Sequence, residues 1–200
     1  MTPHGITGVP DAGAFLARLT RLDPGAPVRL RGAGGRTALW AHLPWDVLVT
    51  REVAGRGPDD ATVSAAELLA VLAEGGDRLP SVRDAQWRWP LPPAASETVE
   101  TVSAGGLAGR AVGQRVVRDA LLDHVALVVT PAEGGPVEIS QRLVQAISRM
   151  GFLGPAGAEV PDTRVRVAGR WVGLSAPYGV AWLQTVSKLT VMPIGGHPKG

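Results

Sequence analysis

Val28-Arg-Leu-Arg31, Gly32-Ala-Gly-Gly35, Thr37-Ala-Leu-Trp-Ala-His-Leu43 and Trp45-Asp-Val-Leu-Val-Thr-Arg-Glu-Val53 follow one another almost without a gap. Val28-Arg-Leu-Arg31 alternates apolar and polar residues with a period of two, and the third and fourth segments are short runs rich in β-branched, aromatic and aliphatic residues, both strand patterns. The glycine-rich segment reads as a hairpin turn, and Pro44 separates the third strand from the second. Gly32-Ala-Gly-Gly35 lacks dinucleotide-loop spacing and leads into a strand. A pyrophosphate loop needs a helix N-terminus there to offer its amides. The fold therefore starts from an antiparallel meander.

Helical patterns flank that meander. Asp11 stands at an N-cap position, Phe15, Leu16, Leu19 and Leu22 follow on one face, and Asp23-Pro24 ends the run. Ser64-Ala-Ala-Glu67 is a capping box, with Val63 placed to staple onto Leu68 and with Leu69 and Leu72 continuing the apolar face. A third helix is expected over residues 111–123, with Val112, Val116, Ala120 and Leu121 inward. A fourth starts at Ser140, uses Leu143, Val144 and Ile147, and ends at Met150-Gly151-Phe152, where Gly151 takes the left-handed position and Phe152 folds back.

Further strands are expected over residues 82–89, at Val125-Ala-Leu-Val-Val129 and Val137-Glu-Ile139 around the Glu133-Gly-Gly-Pro136 turn, and in a meander of Arg164-Val-Arg-Val167, Arg170-Trp-Val-Gly-Leu174 and Tyr178-Gly-Val-Ala-Trp-Leu183. Pro90-Leu-Pro-Pro93 and the polar, glycine-containing stretch after it read as a linker. The expectation is an α+β protein of two small units, each with antiparallel strands and one or two helices, joined by a Pro/Gly-containing linker. The units are residues 1–92 and 110–186, with the linker at 93–109 and a tail at 187–200. One sheet continuous through both halves is the alternative. No βαβ crossover series appears, which excludes a doubly wound fold.

Composition narrows the chemistry. The absence of cysteine removes disulfides, thiol catalysis, cysteine-ligated zinc and iron–sulfur clusters. The pI of about 9.6 overstates the charge: the formal excess is +2, and one Tyr and two Lys leave little to titrate between pH 7 and 10. Residues 1–92 balance ten Arg against ten acids, while residues 110–188 carry eight Arg and one Lys against six. Eighteen Arg against two Lys, beside abundant Ala, Gly and Pro, read as high-GC codon usage rather than as a phosphate-binding surface. The first residues show no secretory signal and no apolar run is long enough to span a bilayer, so a cytoplasmic setting without a membrane partner is expected.

Thr37-Ala-Leu-Trp-Ala-His-Leu-Pro-Trp-Asp-Val-Leu-Val-Thr50, Asp84-Ala-Gln-Trp-Arg-Trp-Pro90, Arg149-Met-Gly-Phe-Leu-Gly-Pro155 and Arg170-Trp-Val-Gly-Leu-Ser-Ala-Pro-Tyr-Gly-Val-Ala-Trp182 resemble segments of uncharacterised actinobacterial two-part proteins, known only as paired domains of unknown function. The resemblance covers most of the chain outside linker and tail. It implies two units in a bacterial cytosol and brings no activity, cofactor or catalytic residue.

No constellation forms a catalytic signature. His4, His42, His124 and His197 share no metal-ligand spacing, and His4 and His197 sit near the ends, where fraying is expected. Asp123 and His124 diverge by about 100° on a helix. Ser175 lacks the strand–Ser–helix elbow, so a triad of Ser175, His42 and Asp46 requires tertiary convergence. Gly105-Gly-Leu-Ala-Gly109 before Arg110 and Arg115 has neither a preceding strand nor a closing Lys-Ser/Thr, and reads as linker. No metal or cofactor is expected.

Six Trp against two Phe and one Tyr stand out. Trp87 and Trp89 would share one strand face, as Trp40 and His42 would. Core packing is the bland account; with Arg neighbours, exposed Trp make a stacking surface. The function expected is thus a non-catalytic cytosolic binding or regulatory module using a Trp/Arg-rich sheet face: Trp87, Arg88, Trp89, Arg170, Trp171 and Trp182. Its partner is a protein or small ligand. The alternative is a degenerate winged-helix-like second unit reading DNA through the 140–150 helix, where Arg142, Gln145 and Arg149 at i, i+3, i+7 form an outward face. A third reading is a small enzyme with a site assembled between the units.

Overall fold

A computed structural model describes residues 2–103, 106–107, 124–132, 135–155 and 162–185. The helix expected over residues 111–123, the stretch carrying Arg110 and Arg115, the Glu133-Gly134 half of the second turn, and the tail lie outside the described residues.

The first half runs α1 (Val9–Leu22), β1 (Pro27–Ala33), β2 (Arg36–Leu43), β3 (Val47–Ala54), β4 (Ala61–Ser64) and α2 (Ala65–Ala73). The second runs β5 (Glu97–Val102), β6 (Val125–Val129), β7 (Val137–Ser140), α3 (Gln141–Arg149), β8 (Thr163–Ala168), β9 (Trp171–Ala176) and β10 (Gly179–Gln184). Local chemistry sets these boundaries where it was readable. Gly34 and Gly35 both take positive φ in the β1–β2 turn, the two-residue geometry that matches strand twist. Ser64 Oγ accepts from Glu67 N at 3.4 Å, the N-cap half of the expected capping box, while the Glu67 carboxylate turns instead to Arg83. At the end of α3, Gly151 is left-handed and Phe152 N donates to Ile147 O at 2.9 Å, closing the expected C-cap. Asp11, however, is not the cap of α1. Gly8 holds that place, and Asp11 lies in the first turn, where its carboxylate meets Arg51 at 2.5 Å.

The two halves do not form separate sheets. One eight-stranded sheet runs β4-β1-β2-β3-β10-β9-β8-β5, with antiparallel pairing throughout, and β6-β7 form a second, two-stranded ribbon. The seam between halves is three residue pairs long: Leu48↔Trp182, Val49↔Ala181 and Thr50↔Val180. The halves mirror one another across it. Each supplies a helix followed by a three-stranded meander, α1-β1-β2-β3 and α3-β8-β9-β10, and one outer strand, β4 or β5.

Inside the expected linker, Glu97–Val102 is a strand paired with β8. Its four β-branched residues suit a pleated edge, and its glutamates keep that edge from pairing further. The expected strand over residues 82–89 is absent. Asp84–Gln86 make one 3₁₀ turn and the rest is extended without ladder partners. Pro80, Pro90, Pro92 and Pro93 have no N–H to give a ladder, so this stretch crosses the sheet instead of joining it.

Helices cover one face of the sheet. Beneath α1, α2 and α3 the core is aliphatic: Leu16, Leu19, Leu30, Leu39, Leu43, Leu68, Leu143 and Ile147 are sealed from solvent. Phe15 of α1 and Phe152 beyond α3 lie parallel at 6.4 Å, joining the halves below the seam. Each such side chain contributes about 1.5–3 kcal/mol on burial. His4, expected in a frayed end, is buried: Nδ1 accepts from Ile6 N at 3.0 Å, leaving Nε2 to donate to Gly76 O at 2.9 Å. Among the described residues no helix is long and apolar enough to cross a membrane.

Candidate functional site

The opposite face of the sheet is built from different residues. Alternation along the strands sends Arg29 and Arg31 of β1, Ala38, Trp40 and His42 of β2, Leu48, Thr50 and Glu52 of β3, Val180 and Trp182 of β10, Trp171 of β9 and Arg166 of β8 to this side. Trp40 and His42 share a face as expected. Residues 83–96 cross it as a strap from one edge strand toward the other. Arg83 N donates to Thr62 O of β4 at 2.7 Å, and Asp84 Oδ1 accepts from Thr62 N at 2.7 Å. Trp87 lies under the Arg29 guanidinium, 5.7 Å from its ring centroid, and donates Nε1 to Trp89 O at 2.7 Å. Trp89 stacks on His42 at 4.3 Å with 12° between planes. The strap ends where β5 begins.

This strap explains five of the six tryptophans; Trp45 packs against the helix-side core instead. Trp171 and Trp182 are buried with Leu48 and Ala168 in a small second core, and Trp40, Trp87, Trp89, Leu91 and Val180 pack around it. None of the six Trp is exposed. The expected exposed stacking platform is therefore corrected: a cover one chain thick has few atoms to seal a sheet, and large rings supply the area. Arg88 and Arg170 stay exposed and outside that cluster. Trp182 lies flat across β9 only because residue 173 is glycine; a Cβ there would sit 2.5 Å from the indole.

The strap divides the open part of this face. On one side lies a trough of about 670 Å³, lined by Arg31, Arg36, Ala38, Trp40, Thr50, Glu52, Val180, Trp182 and Arg166, walled by Leu91, Pro92, Pro93, Ala94 and Ser96, and closed at the seam by Arg51, Asp11 and Tyr178. From Arg31 on β1 to Arg166 on β8 are five inter-strand steps, roughly 24 Å. Arg51 is buried and lies 5.4 Å from the Tyr178 ring centroid. Sequence reasoning missed Arg31, Arg36, Arg51, Arg166 and Tyr178. Only the alternation of Arg164 and Arg166 along one strand hinted at any of them.

On the other side of the strap is a pocket of about 340 Å³ lined by His42, Asp46, Leu48, Trp89, Pro90, Arg142, Trp171, Leu183 and Gln184. Asp46, left-handed at φ 62° in the β2–β3 turn, places Oδ1 3.8 Å from His42 Nε2 and Oδ2 3.2 Å from Arg142 Nη1. Burial under Trp89 pushes the His42 pKa down, against the pull of Asp46. Ser175 does not join them: it is four residues along β9 from Trp171, about 13 Å at strand rise. Among the described residues no three His, Asp or Glu side chains gather as metal ligands.

The second expected face also changes. Gln145 is buried, not outward, because α3 lies between the sheet and the β6-β7 ribbon. Arg142 donates to Trp45 O at 3.2 Å, and the exposed Arg149 lies 5.6 Å from the Trp45 ring centroid. The three residues of the expected reading face are thus split between core and seam.

No curated protein matches the chain. Residues 59–188 match a family model described as a domain of unknown function, DUF8185, and residues 5–89 match another so described, DUF8010. The chain belongs to the DUF8185 family. In fold it is similar to bacterial DNA polymerase sliding clamps. With the clamp of Caulobacter crescentus it shares 13% identity over 95% of this chain and 65% of the clamp, at a TM-score of 0.57. With the DNA polymerase III subunit beta of Pseudomonas aeruginosa it shares 10% identity over 95% and 64%, at 0.60. With the sliding clamp of Bartonella birtlesii, bound to griselimycin, it shares 14% over 99% and 67%, at 0.59. The chain spans less than two thirds of the length of the Caulobacter and Pseudomonas proteins. At these identities the likeness is one of fold.

Proposed function

We propose that the protein is a non-catalytic, cytosolic binding module that holds an extended segment of a partner protein in the trough beside the strap. The observation that carries this reading is the trough's construction. Both expected units, 1–92 and 110–186, and the 93–109 stretch contribute lining residues, and its length suits a chain lying across strands rather than a compact metabolite. Its floor sets Ala38, Trp40 and Val180 beside Thr50, and charged side chains stand around them, a division between affinity and orientation. The clamp-like fold supports the same class of protein, one whose work is to hold others.

The test is a random 12-residue peptide library displayed on phage and panned on the intact protein. Peptides that bind the wild type and lose binding on Ala38→Arg, with the urea midpoint unchanged, support the trough. Enriched peptides indifferent to Ala38→Arg, or no enrichment at all, overturn it.

A catalytic reading rests on the His42–Asp46–Arg142 pocket, where an imidazole, an orienting carboxylate and a guanidinium meet. Among the described residues its lining holds no hydroxyl nucleophile, and Ser175 is elsewhere. The DNA reading through Arg142, Gln145 and Arg149 is weakened by the burial of Gln145 and the tie of Arg142 to Trp45 and Asp46. It predicts duplex binding that falls steeply with salt and collapses in Arg142→Ala/Arg149→Ala; salt-insensitive or absent binding removes it.

A further inference from the structure

Four arginines line the trough, and three are tied to carboxylates. Arg36 meets Glu52 at 3.1 Å, Arg51 meets Asp11 at 2.5 Å, and Arg31 lies 3.8 Å from Asp60. Arg166 is different. It is half-buried, its guanidinium carbon is 5.8 Å from the Trp182 ring centroid, and among the described residues no carboxylate stands within ion-pair distance. Its Nε is sealed from solvent without an acceptor. A partly desolvated cation lacking a counter-charge is costly unless something supplies one.

Resting on the reading of the trough as a peptide groove, we propose that Arg166 is a specificity-determining residue, the receptor for a carboxylate carried by the bound segment. The partner is then an extended peptide with an acidic side chain at the β8 end and apolar side chains over Val180 and Trp40. The strand order fixes the spacing. Val180 on β10 is two inter-strand steps from Arg166 and Trp40 on β2 is four, about 10 and 19 Å. In an extended chain these correspond to roughly three and six residues from the acid. The Trp182 ring, 5.8 Å from the guanidinium carbon, and the sealed Nε restrict the side chain, which lowers the entropy lost on pairing. A carboxylate suits the site better than a phosphate, since Arg166 alone of the four trough-lining arginines is unpaired among the described residues, against a phosphoryl charge near −2.

The phage library named above provides the probe, as fluorescein-labelled synthetic copies of the enriched peptides. Wild type is expected to enrich Asp or Glu about three residues from an apolar position, and changing that acid to its amide is expected to weaken binding about ten-fold or more. Arg166→Met keeps an aliphatic stem on Trp182 and is expected to bind acid and amide peptides equally. If that variant does not fold, the acid-to-amide comparison on wild type decides alone. Peptides that are lost on Ala38→Arg yet lose less than two-fold on amide substitution, or that gain from phosphoserine in place of the acid, overturn the carboxylate receptor and leave the trough standing. Peptides indifferent to Ala38→Arg overturn both.

Discussion

The two faces of the eight-stranded sheet are sealed in different ways. Among the described residues, the helix-covered face is closed by three two- to four-turn helices whose Leu, Val and Phe side chains interdigitate with those of the strands, and most of its core residues have no exposed area. The strap-covered face is closed by a single extended chain rich in proline, and only where tryptophan widens it. Helices bring two or three rows of side chains to a sheet; a strap brings one. The second face leaves a trough and a pocket on either side of the strap. Composition follows from that contrast, since an Ala-rich chain with two Phe has no other large side chains to spend on a thin cover.

The sharpest way to break the contrast is to delete one large side chain from each face. Phe152→Ala, beneath the seam and against Gly179, is expected to cost about 3–5 kcal/mol in urea unfolding. Gly173→Ala, which drives a methyl into the Trp182 indole, is expected to cost about 1–3 kcal/mol and to raise hydrogen exchange in β9 and β10. Trp89→Ala, half-buried in the strap, should cost about 1–2 kcal/mol. Its signature is faster exchange over residues 83–93 with α1 and β2 unchanged. Global unfolding at a cost matching Phe152→Ala would make the strap as much core as the helices are.

Smaller effects sharpen the picture further. Asp60→Asn removes the partner of Arg29 at a half-exposed site, for an expected loss below about 1 kcal/mol. The Arg29 guanidinium holds the Asp60 carboxyl below its ordinary range, so this contribution is present above about pH 4 and disappears as pH falls through the folded value. His42 gives the same sign in another window. Its pKa is lowered by burial under Trp89, so the unfolded chain binds the proton first as pH drops below about 6.5. Stability should therefore decline from there until the folded value is passed, and His42→Gln should flatten that segment of a urea-midpoint profile.

Much of the local structure was legible. The β1–β2–β3 meander, the Ser64 N-cap, the Gly151 C-cap and the β8–β9–β10 meander each depend on residues within a few positions of one another. Two strands were missed for a physical reason. β4 is four residues long, and β5 alternates Glu with Thr and Val in a stretch whose neighbours are glycine and proline. Both are edge strands that exist because β1 and β8 offer them a ladder. The face expected from Arg142, Gln145 and Arg149 failed similarly, since helical spacing shows which side chains align but not what packs against them.

From its sequence alone this protein is an antiparallel α+β chain with two meanders, capped helices, an excess of tryptophan and no catalytic signature. Those features are short-range: backbone propensity, turn chemistry and capping need only nearby residues. Tertiary structure decided that the halves share one sheet through three residue pairs some 130 positions apart, that residues 83–96 cover its outer face, and that Arg166 has no carboxylate within ion-pair distance among the described residues. These depend on which surfaces meet after the chain has closed on itself, and no local pattern carries that information.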